Sequence, residues 1–233
     1  MDVLVHGVLD AVRLLATGDE DTWSITALTL RISLTATAIA LLLGVPLGTG
    51  LALGRFRGRR IVLAAANTGM GLPPVVVGLF VTVLLWRSGP LGELGLLYTP
   101  TAMIIAQAGI ATPVVAALTA AALQQVDPDF VVQMRALGAT RPRALAALLA
   151  EARLPLLAAG MAGFGAVVSE VGAAQMVGGN IEGETRVLTT AAVLATSRGE
   201  FSLAIAFGIV LLAIAFGVNF AATVAQQRQT VRR

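Results

Sequence analysis

Asp127-Pro-Asp-Phe-Val-Val-Gln-Met-Arg135-Ala-Leu-Gly138-Ala-Thr-Arg141-Pro-Arg143-Ala-Leu-Ala-Ala-Leu-Leu-Ala-Glu151-Ala-Arg153-Leu-Pro155 is a polar, arginine-bearing stretch set between segments apolar enough to lie in lipid. Asp127, Pro128 and Asp129 read as a helix start: a capping aspartate, a proline for the first turn, and acid near the positive end of the helix dipole. Phe130, Val131, Met134 and Leu137 then recur at helical spacing. Gly138 ends the run, because glycine supplies the left-handed turn that helix ends favour. Thr140 caps a second helix, Arg141 to about Arg153, which leads into the next apolar segment. The expectation is two short helices meeting at Gly138, the first with an apolar face that has no membrane to bury in. Such a face commonly docks into a groove on a partner. An ordinary connection packed on its own helices is equally open on composition alone. Reading of DNA fits less well, because the basic residues are shared with the membrane-flanking loops.

Outward from this hairpin the chain is strongly apolar. Of 233 residues, 57% are hydrophobic and 12% charged, against roughly 45–50% and about 25% in soluble domains. Five spans are expected, at about Ile25 to Leu53, Ile61 to Trp86, Pro100 to Leu123, Leu154 to Val177 and Phe201 to Val224. Each exceeds the roughly 20 residues needed to cross a bilayer core of about 30 Å. Pro46, Pro73, Pro74 and Pro113 lie inside spans, which points to kinked helices whose freed carbonyls face protein. Gly44, Gly48, Gly50 and Gly54, with Gly160, Gly163 and Gly165, permit close helix contact.

Charge orients the bundle. The net charge of +3 comes from arginine, since the chain has no lysine. Arg55, Arg57, Arg59 and Arg60 link the first two spans, the hairpin adds four arginines, and Arg228, Arg232 and Arg233 follow the last span. Asp19, Glu20, Asp21, Glu93, Glu182, Glu184 and Glu200 sit at the opposite ends. With five spans this places the arginine face in the cytoplasm, the N-terminus outside and the C-terminus inside. Residues 1–24 form an external arm, with Val5, Leu9, Val12 and Ala16 on one helical face; an interfacial helix and a loose arm both fit. No cleavable signal peptide is expected, and no internal repeat is evident.

Glu170 is the acid deepest in a span, where charge costs a few kcal/mol, so it should face the bundle interior or a water-filled cavity. It sits in Ser169-Glu170-Val-Gly-Ala173. Beyond it, Gly178 and Gly179 let backbone N–H groups converge on an anion, and Asn180, Thr185, Thr189 and Thr190 offer neutral donors. Glu170 pairing with Arg31, or capping a helix, and a simple turn at Gly178-Gly179 are the blander alternatives. An acid repels an anionic cargo, so holding gate helices is the better role for Glu170. Arg31 is a second buried-charge candidate, with snorkelling to the external interface as its default. There is no phosphate-binding loop for ATP. The lone His6 and the absence of cysteine argue against a metal centre. No cofactor, metal or catalytic residue is expected, and the chain does not read as an enzyme.

The stretch Arg135-Ala-Leu-Gly138-Ala-Thr-Arg-Pro-Arg143 resembles the cytoplasmic signature loop of prokaryotic ABC importer permeases. The Glu-Ala-Ala triplet of that loop falls on Val132, Gln133 and Met134, so its glutamate is missing, and Leu154-Pro155 lies about one turn late. Leu72-Pro-Pro-Val-Val-Val-Gly-Leu79 with Arg87-Ser-Gly-Pro-Leu-Gly92 resembles the molybdate and sulfate branch. Ser169-Glu-Val-Gly-Ala173, Val177-Gly-Gly-Asn-Ile181 and Thr185-Arg-Val-Leu-Thr-Thr190 resemble the tungstate branch more closely. The resemblance implies an all-α integral membrane protein of about five transmembrane helices with a cytoplasmic coupling hairpin at 127–153, a permease domain at 25–225 and a tail at 226–233.

It implies in turn a tungstate-importing permease of the prokaryotic plasma membrane, working as a homodimer. Its partners would be two copies of an ATPase subunit and an external binding protein, with membrane lipid and no nucleic acid. Arg135, Ala136, Leu137, Gly138 and Ala139 would contact the ATPase. Arg31, Ser169, Glu170, Gly178, Gly179, Asn180, Thr189 and Thr190 would form the pathway and gate. A molybdate or sulfate permease, or a channel or scaffold without an ATPase, is the alternative.

Overall fold

The computed structural model describes residues 2–17 and 19–230, and every regular element among them is helical. In order these are α1 (Asp2–Thr17), α2 (Glu20–Leu53), α3 (Arg59–Met70), α4 (Pro74–Leu85), a 3-10 turn (Gly92–Leu94), α5 (Pro100–Gln124), α6 (Phe130–Ala136), α7 (Arg141–Glu151), α8 (Arg153–Val168), α9 (Gly172–Gly178), α10 (Leu188–Ser197) and α11 (Phe201–Thr230). Arg232, Arg233 and the side chain of Arg228 lie outside the described residues, while the tail expected from 226 continues α11 as far as Thr230.

The architecture is built around α2 and α5, which run parallel. Thr22, Thr26, Thr29, Ser33, Ala36, Ala40, Gly44 and Gly48 recur at three- and four-residue spacing along α2, and all are buried. At Gly44 an added Cβ would lie 2.8 Å from the Val115 side chain, and at Gly48 it would lie 2.4 Å from the Ala116 carbonyl. Small residues let the two backbones close on each other where neither gains by escaping water. Because 44 faces 115 and 48 faces 116, both C-termini lie at one end, beside Arg55–Arg60 and the hairpin.

Among the described residues, three helices are long and apolar enough to cross a membrane: α2, α5 and α11 as far as Val224. The other two expected spans are broken. The second, expected from Ile61 to Trp86 with a kink at its proline pair, divides into α3 and α4 at an angle of 103°. Gly71 ends α3 and Pro74 begins α4. Successive prolines supply no N–H and force extended backbone before them, so the helix cannot pass. The fourth, expected from Leu154 to Val177, is bent by 69° against α7 at its start and interrupted at Ser169–Val171, where α9 begins afresh. The two short halves then pack together. An added Cβ at Gly78 would lie 2.7 Å from Ala173 Cα, and one at Gly172 would lie 2.6 Å from Val75.

α1 lies against α11, with Ala11 buried and Gly7 so close that a Cβ there would meet Ile205 at 2.5 Å. The face expected to be apolar points elsewhere and is not the one packed on α11. Leu9 is 58% exposed, and the side chains of Val5, Val12 and Ala16 lie outside the described residues. Close approach through Gly7 and Ala11 decides the rotation of α1, because only small residues admit the neighbouring backbone.

Candidate functional site

At the arginine end, α6 and α7 form the hairpin. Asp127 opens a turn ahead of α6 and does not cap it: its carboxylate accepts the Asp129 N–H at 2.8 Å and its carbonyl accepts the Phe130 N–H at 3.0 Å. Thr140 holds the cap position of α7 without a side-chain bond. Gly138 sits at φ 88°. Its N–H donates to the Arg135 carbonyl at 3.0 Å, and the Ala139 N–H donates to the Met134 carbonyl at 3.0 Å, the paired bonds of a left-handed helix stop. An added Cβ at Gly138 would meet nothing within 4 Å, so backbone conformation, not space, demands glycine here.

One face of this hairpin is anchored and the other is bare. Phe130 and Val131 pack on a cluster of Leu123, Leu148 and Ala152 that also reaches Ala52 of α2. Leu137 is 79% and Val132 64% exposed; Arg135, Arg141 and Arg143 of the same hairpin are exposed as well. The result is an apolar tip with exposed arginines near it in sequence, braced on α5 and α7. A knob of this kind docks into a cleft with an apolar floor and an acidic rim.

At the opposite end, the broken fourth span organises the second candidate site. Glu170 is buried, and its Oε1 accepts the Ala173 N–H at 2.8 Å, so the carboxyl caps α9. The Thr189 hydroxyl donates to the Glu170 carbonyl at 2.9 Å, and the Thr29 hydroxyl accepts the Leu188 N–H at 3.0 Å, which ties α10 to both α2 and the break. Thr185 donates to the Gly178 carbonyl at 2.5 Å and accepts the Ile181 N–H at 3.0 Å. The Thr190 hydroxyl lies 3.1 Å from both the Val187 N–H and the Val187 carbonyl. These threonine hydroxyls are thus engaged with backbone and hold the segment's shape. Ser169 is exposed, with its hydroxyl donated to the Gly165 carbonyl. Gly179 and Asn180 are both left-handed, at φ 72° and 54°, and Tyr98 (φ 64°) donates its N–H to the Val177 carbonyl at 2.8 Å.

Arg31 does not join this group. It is exposed on α2, one residue from buried Ile32. Arg186 pairs with Glu182 at 3.1 Å on the wall of a polar cavity of about 290 Å³ that also carries Asp19, Asp21, Arg198 and Glu200. Sequence reasoning passed over Gln107, Thr29 and Ser33. With Glu170 and Thr189 they line a narrow void with no room for water. Gln107 is 3% exposed, and its Oε1 has no partner among the described residues. The signal was present: an amide in the middle of the apolar run Pro100–Gln124, and a hydroxyl stripe at helical spacing on α2.

Comparison with known proteins gives a consistent result. The family described as binding-protein-dependent transport system inner membrane component matches residues 44–231. The tungstate uptake system permease protein TupB of Peptoclostridium acidaminophilum is 38% identical over 219 residues, covering 94% of this chain and 96% of that protein. TupB of Campylobacter jejuni subsp. jejuni is 36% identical over 220 residues, covering 94% and 92%. Among solved structures, an inward-facing form of the MetNI methionine ABC transporter superposes with a TM-score of 0.72 at 19% identity, covering 93% of this chain and 97% of that chain; this likeness speaks to the fold alone.

Proposed function

The chain belongs to the family of binding-protein-dependent transport system inner membrane components, and from that premise we propose that it is the tungstate-conducting permease of an ABC importer. Molybdate and sulfate permeases are more distant relatives, which supports tungstate as the cargo. The arginine end faces the cytoplasm, so the N-terminus is external and the C-terminus internal. Two copies of the chain form the pathway between them. An external binding protein delivers the anion and sets most of the selectivity, since a pathway that must release its cargo binds it weakly. ATP is hydrolysed by a separate subunit.

The observation that carries this reading is the braced hairpin with its bare apolar tip. Residues Arg135 to Ala139, with Leu137 as the knob, insert into a cleft of each ATPase subunit. When the ATPases close, α6 moves with them. The packing of Phe130 and Val131 on Leu123 and Leu148 passes that motion to α5 and α7, and the α7–α8 bend carries it along α8 to Ser169 and Glu170. Glu170 holds α9 as a rigid gate piece through Ala173, while Thr189 links it to α10. Gly178, Gly179 and Asn180 form the turn beneath that gate, Thr190 locks the start of α10, and Arg31 attracts anions from the exposed face of α2.

The test is ATP hydrolysis by the chain reconstituted with its ATPase and binding protein, with tungstate, molybdate or sulfate supplied in turn. Selective stimulation by tungstate supports the proposal. Stimulation by another oxyanion keeps the mechanism and removes the cargo. Failure to form a complex with any ATPase overturns the importer reading in favour of a channel or scaffold.

A further inference from the structure

Where α2, α3 and α5 meet near the arginine end, they leave an open wedge of about 620 Å³. It arises because α3 touches α5 closely at Gly69, where an added Cβ would lie 2.6 Å from Pro113, while the connection 54–58 sets its other end apart from α2. Leu47 and Gly50 form one wall, Val62 and Ala65 the other. Among the described residues Thr112 is the one polar side chain lining it, and its hydroxyl is already donated to the Ala108 carbonyl at 2.6 Å. Leu47 is 55% and Val62 47% exposed. The wedge therefore offers carbon and no hydrogen bond, which suits a hydrocarbon chain.

Phe56 lines this wedge and also the adjoining basic hollow formed by residues 54–61. Of the four arginines there, Arg59 is turned inward, its Nε donating to the Leu51 carbonyl at 2.6 Å and its Nη2 to the Ala52 carbonyl at 3.3 Å. Arg55, Arg57 and Arg60 are exposed and make no ion pair among the described residues. Three uncompensated cations thus stand at the mouth of a wholly apolar wedge. A molecule that satisfies both carries an anionic head on a hydrocarbon tail. A second copy of this chain is a poor match, since it would bring its own arginines to the same end.

We propose that this wedge binds one anionic glycerophospholipid, its headgroup phosphate held by Arg55, Arg57 and Arg60 and an acyl chain lying along Leu47, Gly50 and Val62. Basic pockets between transmembrane helices at the cytoplasmic interface recognise anionic headgroups in this way.

The experiment uses the full chain in bilayers of equal phosphatidylglycerol and phosphatidylcholine, extracted and weighed intact with its retained lipid. Wild type is expected to retain phosphatidylglycerol in preference. R55Q/R57Q/R60Q should lower that preference on the order of a hundredfold, at roughly fivefold per arginine. Because these arginines also orient the protein in the membrane, the matching Arg→Lys triple variant should keep its insertion and most of the preference. Gly50→Leu leaves every charge in place. A Cβ there meets nothing within 4 Å, so the leucine enters the wedge and should displace the lipid without changing thermal stability. Equal retention of the two lipids overturns the proposal, as does undiminished retention in Gly50→Leu. A change of oligomeric state in Gly50→Leu, with lipid retention intact, would assign the wedge to a second copy and overturn it equally.

Discussion

The Thr189 hydroxyl donates to the backbone carbonyl of Glu170 at 2.9 Å, joining the break in the fourth span to the first turn of α10 across 19 residues. On the other side of the same residue the Glu170 carboxyl caps α9 through Ala173. One residue therefore fixes both the piece that stops α8 and the piece that resumes after it. A buried carbonyl without a donor is costly, and a cap without an acceptor leaves α9 unsecured.

Thr189→Val keeps the shape and removes the donor, so thermal unfolding in lipid should show a loss of about 1 kcal/mol. Glu170→Gln retains an oxygen for the Ala173 N–H and should remain close to wild type in stability and transport. Glu170→Ala should lose about 1 kcal/mol and impair transport. If Glu170→Gln is as defective as Glu170→Ala, the charge matters and the capping role is insufficient.

Leu137→Asp should abolish capture of the ATPase subunit while leaving the unfolding temperature unchanged, since a 79% exposed side chain contributes little to the fold. Gly138→Ala is expected to cost about 1–2 kcal/mol by placing a Cβ in left-handed backbone. A Leu137→Asp protein that still pulls down its ATPase would relocate the docking surface.

Glycines on α2 divide by what surrounds them. Gly48→Ala should destabilise by about 1–3 kcal/mol, because its Cβ would lie 2.4 Å from the Ala116 carbonyl. Gly50→Ala, with open space around it, should be neutral or stabilising by up to about 1 kcal/mol. Comparing the two melting curves checks the α2–α5 contact.

Asp19 caps α2, accepting the Thr22 hydroxyl at 2.5 Å and the Thr22 N–H at 2.9 Å. These bonds, the hydroxyl first and the backbone second, hold its carboxyl below the ordinary aspartate range against a small opposing effect of burial. A lowered value in the folded state means the stabilisation is complete above the unfolded value of about 3.9 and is lost as pH falls through the lowered one. Asp19→Asn should flatten the acid limb of a stability profile and leave neutral pH little changed. An identical acid limb in wild type and variant would show that Asp19 contributes nothing to it.

Much of this was legible in the chain. Long apolar runs, segregated arginines and a glycine stop at 138 are local features. Lipid-exposed backbone has few alternatives to helix, and so the helices, the hairpin and a kink at Pro73-Pro74 follow from composition and spacing, while the full break there does not. Local reading stopped at Glu170. Its place in a span was visible, but its partners were not, since Thr189 comes from a distant turn and Ala173 becomes a partner only once the helix has broken.

The residues alone determined that this is a helical membrane bundle with an arginine-rich end and a projecting hairpin, because hydrophobic length, charge placement and glycine conformation act on neighbours in sequence. Tertiary structure alone decided which face of α1 is buried, which hydroxyls are engaged, and that Gln107 and Ser33 share a void with Glu170. Those depend on how closely two backbones approach, and closeness is set by pairs such as Gly48 with Ala116 and Gly78 with Ala173, which lie far apart in the chain.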